Sequence, residues 1–219
     1  MAEKINRVIW DFNGTLFDDV AIGIRATNKM LISRGYSPIP SADAYREIFG
    51  FPIEDYYRRV GFDFSRHPSE VLAPEWVAEY DRLEPEAGLR DGAVAALAAL
   101  RAAAIGLSLI SATESNMLHR QLAGLGILEY FDDVVGNDNI HAVGKSQLVL
   151  DWKGKHADER VIMIGDTEHD FACASRAGFE CLLVTGGHQS RTRLEGCGCA
   201  VLDSLDACVE YIQKQNEST

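Results

Sequence analysis

Residues 8–18 read VIWDFNGTLFD, a short apolar run that ends in an acidic residue and passes into a glycine-containing turn. Three later apolar runs also end in a small or acidic residue: LSLIS at 107–111, VIMIGD at 161–166 and CLLVT at 181–185. Nearly continuous apolar runs are typical of strands that are buried on both faces. Helical patterns separate them at 93–104, 114–125 and 168–177, and Gly178 is suited to end the last helix. This alternation predicts an α/β fold with a doubly wound parallel sheet.

The alternation stops between residues 17 and 88, where no apolar strand run occurs. Helical patterns replace it at 22–31, 41–48 and 75–83. Gly14 on one side of this block, and Pro85 and Gly88 on the other, are residue types suited to hinges. We therefore predict a small all-helical cap domain, residues 17–88, inserted into a core made of residues 1–16 and 89–219.

The composition narrows the classes of partner. The chain has 219 residues, of which 47% are hydrophobic, so it is long enough to bury a full core. Its 33 acidic and 21 basic side chains give a net charge of -12, which repels polyanions and predicts that nucleic acid is not a partner. No stretch approaches the roughly 20 apolar residues that cross a bilayer, so we expect no membrane partner and a cytoplasmic protein.

The five cysteines predict reduced thiols, because their number is odd and no Cys-x-x-Cys pair occurs. Cys197 and Cys199 flank a single glycine and resemble a metal or redox pair, but a turn is the simpler interpretation because no further ligand lies at metal-site spacing.

The residues that end the predicted strands are expected to meet, because ligand sites in open α/β sheets form beyond the carboxyl ends of the strands. Asp11, Ser111 and Asp166 end three of the runs, and Lys145 begins a helix. Asp11 can attack phosphorus as a carboxylate, and a metal ion held by Asp11 and Asp166 screens the repulsion between that carboxylate and a phosphate. Ser111 and Lys145 can hold the equatorial oxygens, where charge lies in the transition state. The set predicts phosphoryl transfer.

Four segments resemble the motifs of the haloacid dehalogenase superfamily, in the order of that family: DFNGTLFD at 11–18, Ile110-Ser111, Gly144-Lys145-Ser146 and GDTEHD at 165–170. The stretches 184–194 and 201–205 further resemble the phosphoglycolate-phosphatase-like branch, and the helical block resembles its small cap. The resemblance implies a Mg²⁺-dependent phosphatase of a small phosphorylated metabolite, acting through an aspartyl-phosphate on Asp11. We expect a monomer or homodimer.

The resemblance also implies roles for individual residues. The implied catalytic residues are Asp11, Asn13, Ser111 and Lys145. The implied substrate-binding residues are Gly14, Thr15, Ser111, Ala112, Lys145 and Arg46. The implied metal site comprises Asp11, the carbonyl of Asn13, Asp166 and Asp170, the last through the waters of the metal. The segment 50–52 resembles a cap specificity loop. Further cap cations could meet a second anionic group of the substrate or could lie on solvated helix faces: Arg25, Lys29, Arg58 and Arg59.

Asn13 departs from the family pattern, in which an aspartate two residues after the nucleophile protonates the leaving oxygen and then deprotonates the hydrolytic water. An amide can do neither, although its backbone carbonyl can still bind a metal and its side chain can still position a water. Loss of general acid–base assistance typically costs a factor of about 10² to 10⁴ in rate.

Three interpretations of Asn13 remain open. In the first, the chain is a natural enzyme that uses another group as acid and base or takes acyl phosphates, whose leaving group needs no proton. In the second, it is an engineered variant that traps a complex. In the third, it is a regulatory protein that binds a phosphometabolite with little turnover. Dehalogenation is disfavoured because those relatives carry a tyrosine at this position, and phosphonate cleavage because the only cap lysine is Lys29, far from the Gly50 loop.

Several neighbouring residues have simpler interpretations. We expect Asp18 to steady the turn after the first motif, and His188 and His141 to be loop residues. Glu168 and His169 could approach the metal or donate a proton.

Overall fold

The computed structural model describes residues 4–137, 144–156 and 159–219, and His141 lies outside these residues. The strands are β1 (Arg7–Trp10), β2 (Phe17–Asp18), β3 (Gly88–Leu89), β4 (Gly106–Glu114), β5 (Asp133–Asn137), β6 (Val161–Gly165), β7 (Glu180–Val184) and β8 (Ala200–Leu202). Six of them form a parallel sheet in the order β5-β4-β1-β6-β7-β8. The predicted α/β fold with a parallel sheet is confirmed.

The centre of the sheet is buried on both faces, as the apolar runs predict. Val8 and Trp10 of β1 are fully buried in one hydrophobic cluster, and Ile9 between them is fully buried in a second. Successive side chains of a strand point to opposite faces, so β1 must be covered on both sides. The flanking helices are α5 (Ala93–Ala102), α6 (Ser115–Gly124), α7 (Lys145–Lys153), α8 (Glu168–Ala177), α9 (Arg191–Glu195) and α10 (Leu205–Glu217). Gly178 ends α8 with φ at +73°, as expected of a glycine cap.

The segment predicted to form the cap contains α1 (Val20–Ser33), α2 (Ala42–Ile48), α3 (Ile53–Arg59) and α4 (Ser69–Leu83). These helices share a hydrophobic cluster that includes Met30, Tyr45 and Leu72. The segment is not entirely helical, because β2 and β3 pair antiparallel where the chain leaves and rejoins the sheet. This pairing gives the backbone N–H and C=O groups of the two linking segments hydrogen-bond partners. The boundaries of the two domains stay a prediction.

Three further features bear on the predictions. β4 continues past Ser111 to Glu114, with an irregular register against β5 after Ile110, so Ser111 is not the end of its strand. All five cysteines are free. Of the helices that the structure describes, none is long and apolar enough to cross a membrane.

Candidate active site

Three carboxylates meet at the carboxyl edge of the sheet. Asp11 directly follows β1, Asp166 directly follows β6, and Asp170 lies in the first turn of α8. Each offers one oxygen that lies within 4.8 Å of the oxygens of the other two. All three residues are buried, with at most 8% of their surface exposed. The structure therefore brings together the acids that the first and fourth motifs predict.

Lys145 provides the positive charge beside these acids. Its Nζ forms an ion pair with Asp11 and donates to Asp170 Oδ1 at 2.5 Å, and only 3% of the residue is exposed. Burial lowers the pKa of a lysine, but the two carboxylates outweigh burial here and raise the pKa of Lys145. The lysine is therefore held as a cation against the predicted nucleophile.

The carboxylate of Asp11 also meets a hydroxyl. Thr15 Oγ1 lies 2.9 Å from Asp11 Oδ2 and 3.0 Å from Asp166 Oδ1, and it donates its single proton to one of them at a time. Burial raises the pKa of Asp11 to about 7, with Asp170 and Asp166 adding to the effect and Lys145 opposing it. A cation bound among these acids would favour their charged forms.

Two glycines make room for Asp166. A Cβ added to Gly14, where φ is +73°, would lie 2.3 Å from Asp166 Oδ2, and one added to Gly187 would lie 2.2 Å from the same atom. The backbone N–H of His188 donates to that oxygen at 2.5 Å. Gly14, implied as a substrate contact, thus also shapes the carboxylate site, and Gly187 is a functional residue that the sequence analysis missed.

Asp170 is held by a reciprocal helix cap. Its Oδ2 accepts from the backbone N–H and hydroxyl of Thr167, at 3.0 and 2.7 Å, while the Thr167 side chain caps α8. Burial raises the pKa of Asp170, but Lys145 outweighs it and the pKa is lowered. Asp170 therefore presents a charged oxygen to Lys145 from a capped helix end.

Asn13 has both amide protons engaged. Its Nδ2 donates to Asp19 Oδ2 and to the Tyr80 hydroxyl, each at 2.9 Å, and its Oδ1 accepts from Thr113 Oγ1 at 2.9 Å. The expected positioning of a water by this amide is therefore limited to the remaining lone pair of Oδ1.

Asp19 is a buried carboxylate that the sequence analysis missed. It accepts from the Gly14 N–H at 2.8 Å and from the Tyr80 hydroxyl at 2.7 Å, besides Asn13 and the His188 ring. Burial raises the pKa of Asp19, but His188 and these hydrogen bonds outweigh it and lower the pKa.

The turn after the first motif is therefore steadied by Asp19. The assignment of this role to Asp18 was wrong, because β2 points Phe17 inward and Asp18 into solvent.

His188 lies in the loop after β7, as expected, but it is not a simple loop residue. Only 6% of it is exposed, with Nε2 3.1 Å from Asp19 Oδ1 and Nδ1 2.8 Å from the Tyr45 hydroxyl of α2. Burial lowers the pKa of a histidine, but Asp19 outweighs it and raises the pKa of His188 to about 9. The position of His188 after two glycines, behind a buried strand, is the signal that could have found it.

Ser111 joins the site through a neighbour. Its hydroxyl donates to Thr113 Oγ1 at 3.0 Å and accepts from the Thr113 N–H at 3.1 Å, so Ser111, Thr113 and Asn13 form one hydrogen-bonded series. Ala112 is exposed, and its carbonyl accepts from Asn137 Nδ2 at 2.6 Å. The substrate-binding roles of Ser111 and Ala112 stay predictions.

The cap segment touches the core through Arg46 and the loop at 50–52. Arg46 Nε donates to the carbonyl of Gly187 at 2.9 Å, so this predicted substrate contact lies against the loop that shapes the site. The Phe51 ring lies 4.7 Å from the His169 ring, at the start of α8. The four other cap cations named in the sequence analysis have partners within the cap segment: Arg25 with Glu86, Lys29 with Glu79, Arg58 with Asp55, and Arg59 with the carbonyl of Ile48.

The donor set suits Mg²⁺. Carboxylate and carbonyl oxygens are the ligands that this ion prefers, and Asp11, Asp166 and Asp170 offer three of them within 4.8 Å. Four buried acids surround the site if Asp19 is included, against the side chains of Lys145 and His188, so a further cation would improve the balance of charge.

The chain is similar to one family of hydrolases. Residues 8–184 match the family model described as haloacid dehalogenase-like hydrolase. The crystal structure of a predicted phosphatase from Clostridium acetobutylicum superposes with a TM-score of 0.80, covering 97% of this chain and 100% of that one, at 21% identity. This likeness shows a shared fold.

Two curated relatives cover much of the chain. The phosphoglycolate phosphatase of Neisseria meningitidis is 27% identical over an alignment of 230 positions, gaps included, which covers 97% of this chain and 96% of the relative. The tyrosine-protein kinase PtkA of Mycobacterium tuberculosis is 29% identical over 194 residues, which cover 85% of this chain. The match spans 64% of the length of PtkA.

Proposed function

Since the chain belongs to the haloacid dehalogenase-like hydrolase family, we propose that it is a magnesium-dependent phosphatase of a small phosphorylated metabolite. The observation that carries the proposal is the placement of Lys145 against Asp11, with Asp166 and Asp170 beside them in a buried site. A carboxylate nucleophile, a fixed cation and further acids for a metal are the parts that phosphoryl transfer requires.

The chain's own side chains carry two steps in this proposal. An Asp11 oxygen forms a bond to phosphorus while the bond to the leaving oxygen breaks, and water then attacks phosphorus and frees Asp11. Lys145 holds the nucleophile and offsets negative charge at the phosphoryl group. Asp11, Asp166 and the Asn13 carbonyl, with Asp170, would hold Mg²⁺, which when bound supplies positive charge to the phosphoryl oxygens.

Relatives support a small acidic substrate. The relative from Neisseria meningitidis is named a phosphoglycolate phosphatase and matches over nearly the whole chain. We propose a small phosphorylated metabolite as the partner and the cytoplasm as the location, and we expect a monomer or homodimer.

The test is phosphate release from phosphoglycolate, sugar phosphates, nucleotides and acetyl phosphate, with and without Mg²⁺. We expect release that depends on Mg²⁺ and falls at least about 10⁴-fold in Asp11→Asn, because the nucleophile is lost while its shape is kept. The matched control is Asp18→Asn, an exposed carboxylate of the same segment. Equal release by Asp11→Asn would contradict the proposal, and tight ligand binding without release would favour a binding or regulatory protein.

A second candidate is phosphoryl transfer from Asp11 to a tyrosine hydroxyl. It is favoured by one observation, the 29% identity to a protein named tyrosine-protein kinase. Incubation with labelled acetyl phosphate or ATP and a tyrosine-containing acceptor distinguishes the two acceptors. Label in phosphotyrosine would support transfer, whereas label only in inorganic phosphate would support hydrolysis.

A further inference from the structure

We infer that this site, where Asp19 holds a non-acidic Asn13 amide in place of an acid, prefers phosphoryl donors whose leaving group departs without a proton. Acyl phosphates are the best of these, aryl phosphates follow, and alkyl phosphate esters are the poorest. The inference rests on the proposed function, since it names the substrate class for the nucleophile Asp11. It is carried by the hydrogen bonds of residues 13 and 19.

The chemistry of its neighbours sets the orientation of the Asn13 amide. Ser111 donates to Thr113, whose hydroxyl then donates to Asn13 Oδ1 at 2.9 Å. A carboxylate only accepts hydrogen bonds, so the NH₂ group of Asn13 must face Asp19. A flipped amide would instead place two acceptor oxygens about 2.9 Å apart, which is unfavourable. The orientation is therefore fixed.

Three side chains around residue 13 direct protons onto Asp19. Asn13 Nδ2 lies 2.9 Å, Tyr80 Oη 2.7 Å and His188 Nε2 3.1 Å from its oxygens. The other ring nitrogen of His188 is paired with the Tyr45 hydroxyl at 2.8 Å. Asp19 is 2% exposed, so these bonds are shielded from water. Asn13 therefore has no free N–H to donate to a leaving oxygen, and an amide cannot release a proton to one.

An aspartate at position 13 would not fit this arrangement by itself. Its oxygen would replace Nδ2 at about 2.9 Å from Asp19 Oδ2, which would bring two carboxylates together in a buried place. It would also remove the donor that Asp19 now has. Asn13 and Asp19 are therefore a matched pair, and a change of polarity at one requires a change at the other.

The consequence for substrates follows from the bonds that break. As Asp11 bonds to phosphorus, the leaving oxygen keeps the electron pair of the broken bond and departs as an anion. The anion is most stable for a carboxylate, whose acid has a pKa of about 4, and less so for a phenolate, with a pKa of about 10. An alkoxide is far less stable, because an alcohol is about as weak an acid as water.

The second step, hydrolysis of the aspartyl-phosphate, can proceed without a carboxylate at position 13. Water adds to phosphorus, the bond from phosphorus to the Asp11 oxygen breaks, and the electron pair returns to Asp11. The proton of the water passes to solvent, and inorganic phosphate is released. Because no carboxylate at position 13 removes this proton, the step is slower than in family members that carry one.

The test compares acetyl phosphate, phenyl phosphate and phosphoglycolate as substrates for the full chain with Mg²⁺. We expect kcat/KM to fall in that order, by at least about 100-fold between the first and the last. Asn13→Asp with Asp19→Asn should raise kcat for phosphoglycolate at least about 10-fold with little change in KM, because the swapped pair supplies an acid. Asn13→Asp alone should not raise it, and Asp18→Asn should leave all three rates unchanged.

Melting temperatures test the pair without any substrate. We expect Asn13→Asp and Asp19→Asn each to lower the melting temperature by about 3 °C or more, and the double variant to recover part of the loss. If the double variant does not fold, Asn13→Asp with Asp19→Ser replaces it, since serine removes the second carboxylate with less bulk.

Each contrary result has a distinct meaning. Equal rates on the three substrates, or a gain on phosphoglycolate from Asn13→Asp alone, would overturn the inference and leave the phosphatase intact. Strictly additive melting temperatures would also overturn the pairing. If neither the unchanged chain nor any variant releases phosphate from the three substrates, the proposed function is overturned, and the inference with it.

Discussion

The two sides of the site are built differently. On the nucleophile side, Asp11, Asp166, Asp170 and Lys145 all come from the sheet edge and the helices that follow it. On the Asn13 side, Asp19 accepts from Tyr80 of α4, and His188 meets Tyr45 of α2, so half of the network belongs to the cap segment. The charges that would perform chemistry therefore rest on the core, whereas the orientation of residue 13 depends on how core and cap meet.

Among the substitutions that compare the two sides, Lys145→Met on the nucleophile side is expected to have the largest effect. The substitution keeps the bulk of the side chain and removes the cation between Asp11 and Asp170. We expect kcat to fall about 10²- to 10³-fold or more, as for other fixed electrostatic groups. Stability without metal should fall by about 3 to 5 kcal/mol, because buried carboxylates lose their partner. Steady-state kinetics and urea unfolding measure the two effects, and unchanged kcat would contradict the assigned role.

Gly187→Ala should have the next largest effect. Its Cβ would lie 2.2 Å from Asp166 Oδ2, so Asp166 or the loop must move. We expect at least about 10-fold weaker Mg²⁺ binding, a reduction typical of a disturbed ligand shell, measured by calorimetry. Gly124→Ala is the matched control, because no atom beyond the neighbouring backbone of its own helix lies within 4 Å of its added Cβ. Equal Mg²⁺ affinity in both variants would contradict the assignment of Asp166 as a metal ligand.

Tyr80→Phe examines the Asn13 side with a smaller change. It removes one hydroxyl, which donates to Asp19 and accepts from Asn13, and leaves the ring in place. We expect a loss of about 1 to 3 kcal/mol in stability, since buried partners lose a hydrogen bond. Activity on acetyl phosphate should fall only a few-fold, because the nucleophile side is untouched. A loss of activity as large as that of Lys145→Met would erase the distinction between the two sides.

The smallest effect is expected where the cap segment touches the core through Arg46. Arg46→Gln removes the donation to the Gly187 carbonyl, a bond worth about 1 kcal/mol or somewhat more. We expect KM to rise a few-fold with kcat nearly unchanged. Arg58→Gln is the control, because Arg58 is an exposed arginine that pairs within its own helix. Identical kinetics of the two variants would mean that the contact has no role in binding.

The same division explains what the sequence could predict. Asp11 and Asp166 end apolar runs, and the parallel topology brings such ends together, so the nucleophile side follows from local pattern. Asp19 and Tyr80 lie 61 residues apart in the chain and meet only through the packing of α4, which no local pattern contains.

Some elements were missed for physical reasons. β5 (DVVGN) and β8 (AVL) lie at the two edges of the sheet. Most of their residues are only partly buried, and neither strand contains a long apolar run. The helical pattern at 75–83 captures only part of α4, which begins at Ser69 and continues through Pro74, a residue that usually marks a helix start. Edges and helix ends depend on neighbours more than on their own residues.

The spacing between Asn13 and Asp19 has a consequence for inheritance. The six residues from one to the other include the tight turn at Gly14 and the short β2, whose alternation sends Asp18 outward and leaves Asp19 to the buried network. A single insertion or deletion there would exchange the two faces. An amide two positions after the nucleophile, followed six positions later by a carboxylate, is thus a signature of fixed length. Lineages that carry the amide should retain both the acid and the spacing, and lineages with the usual aspartate have no need of either.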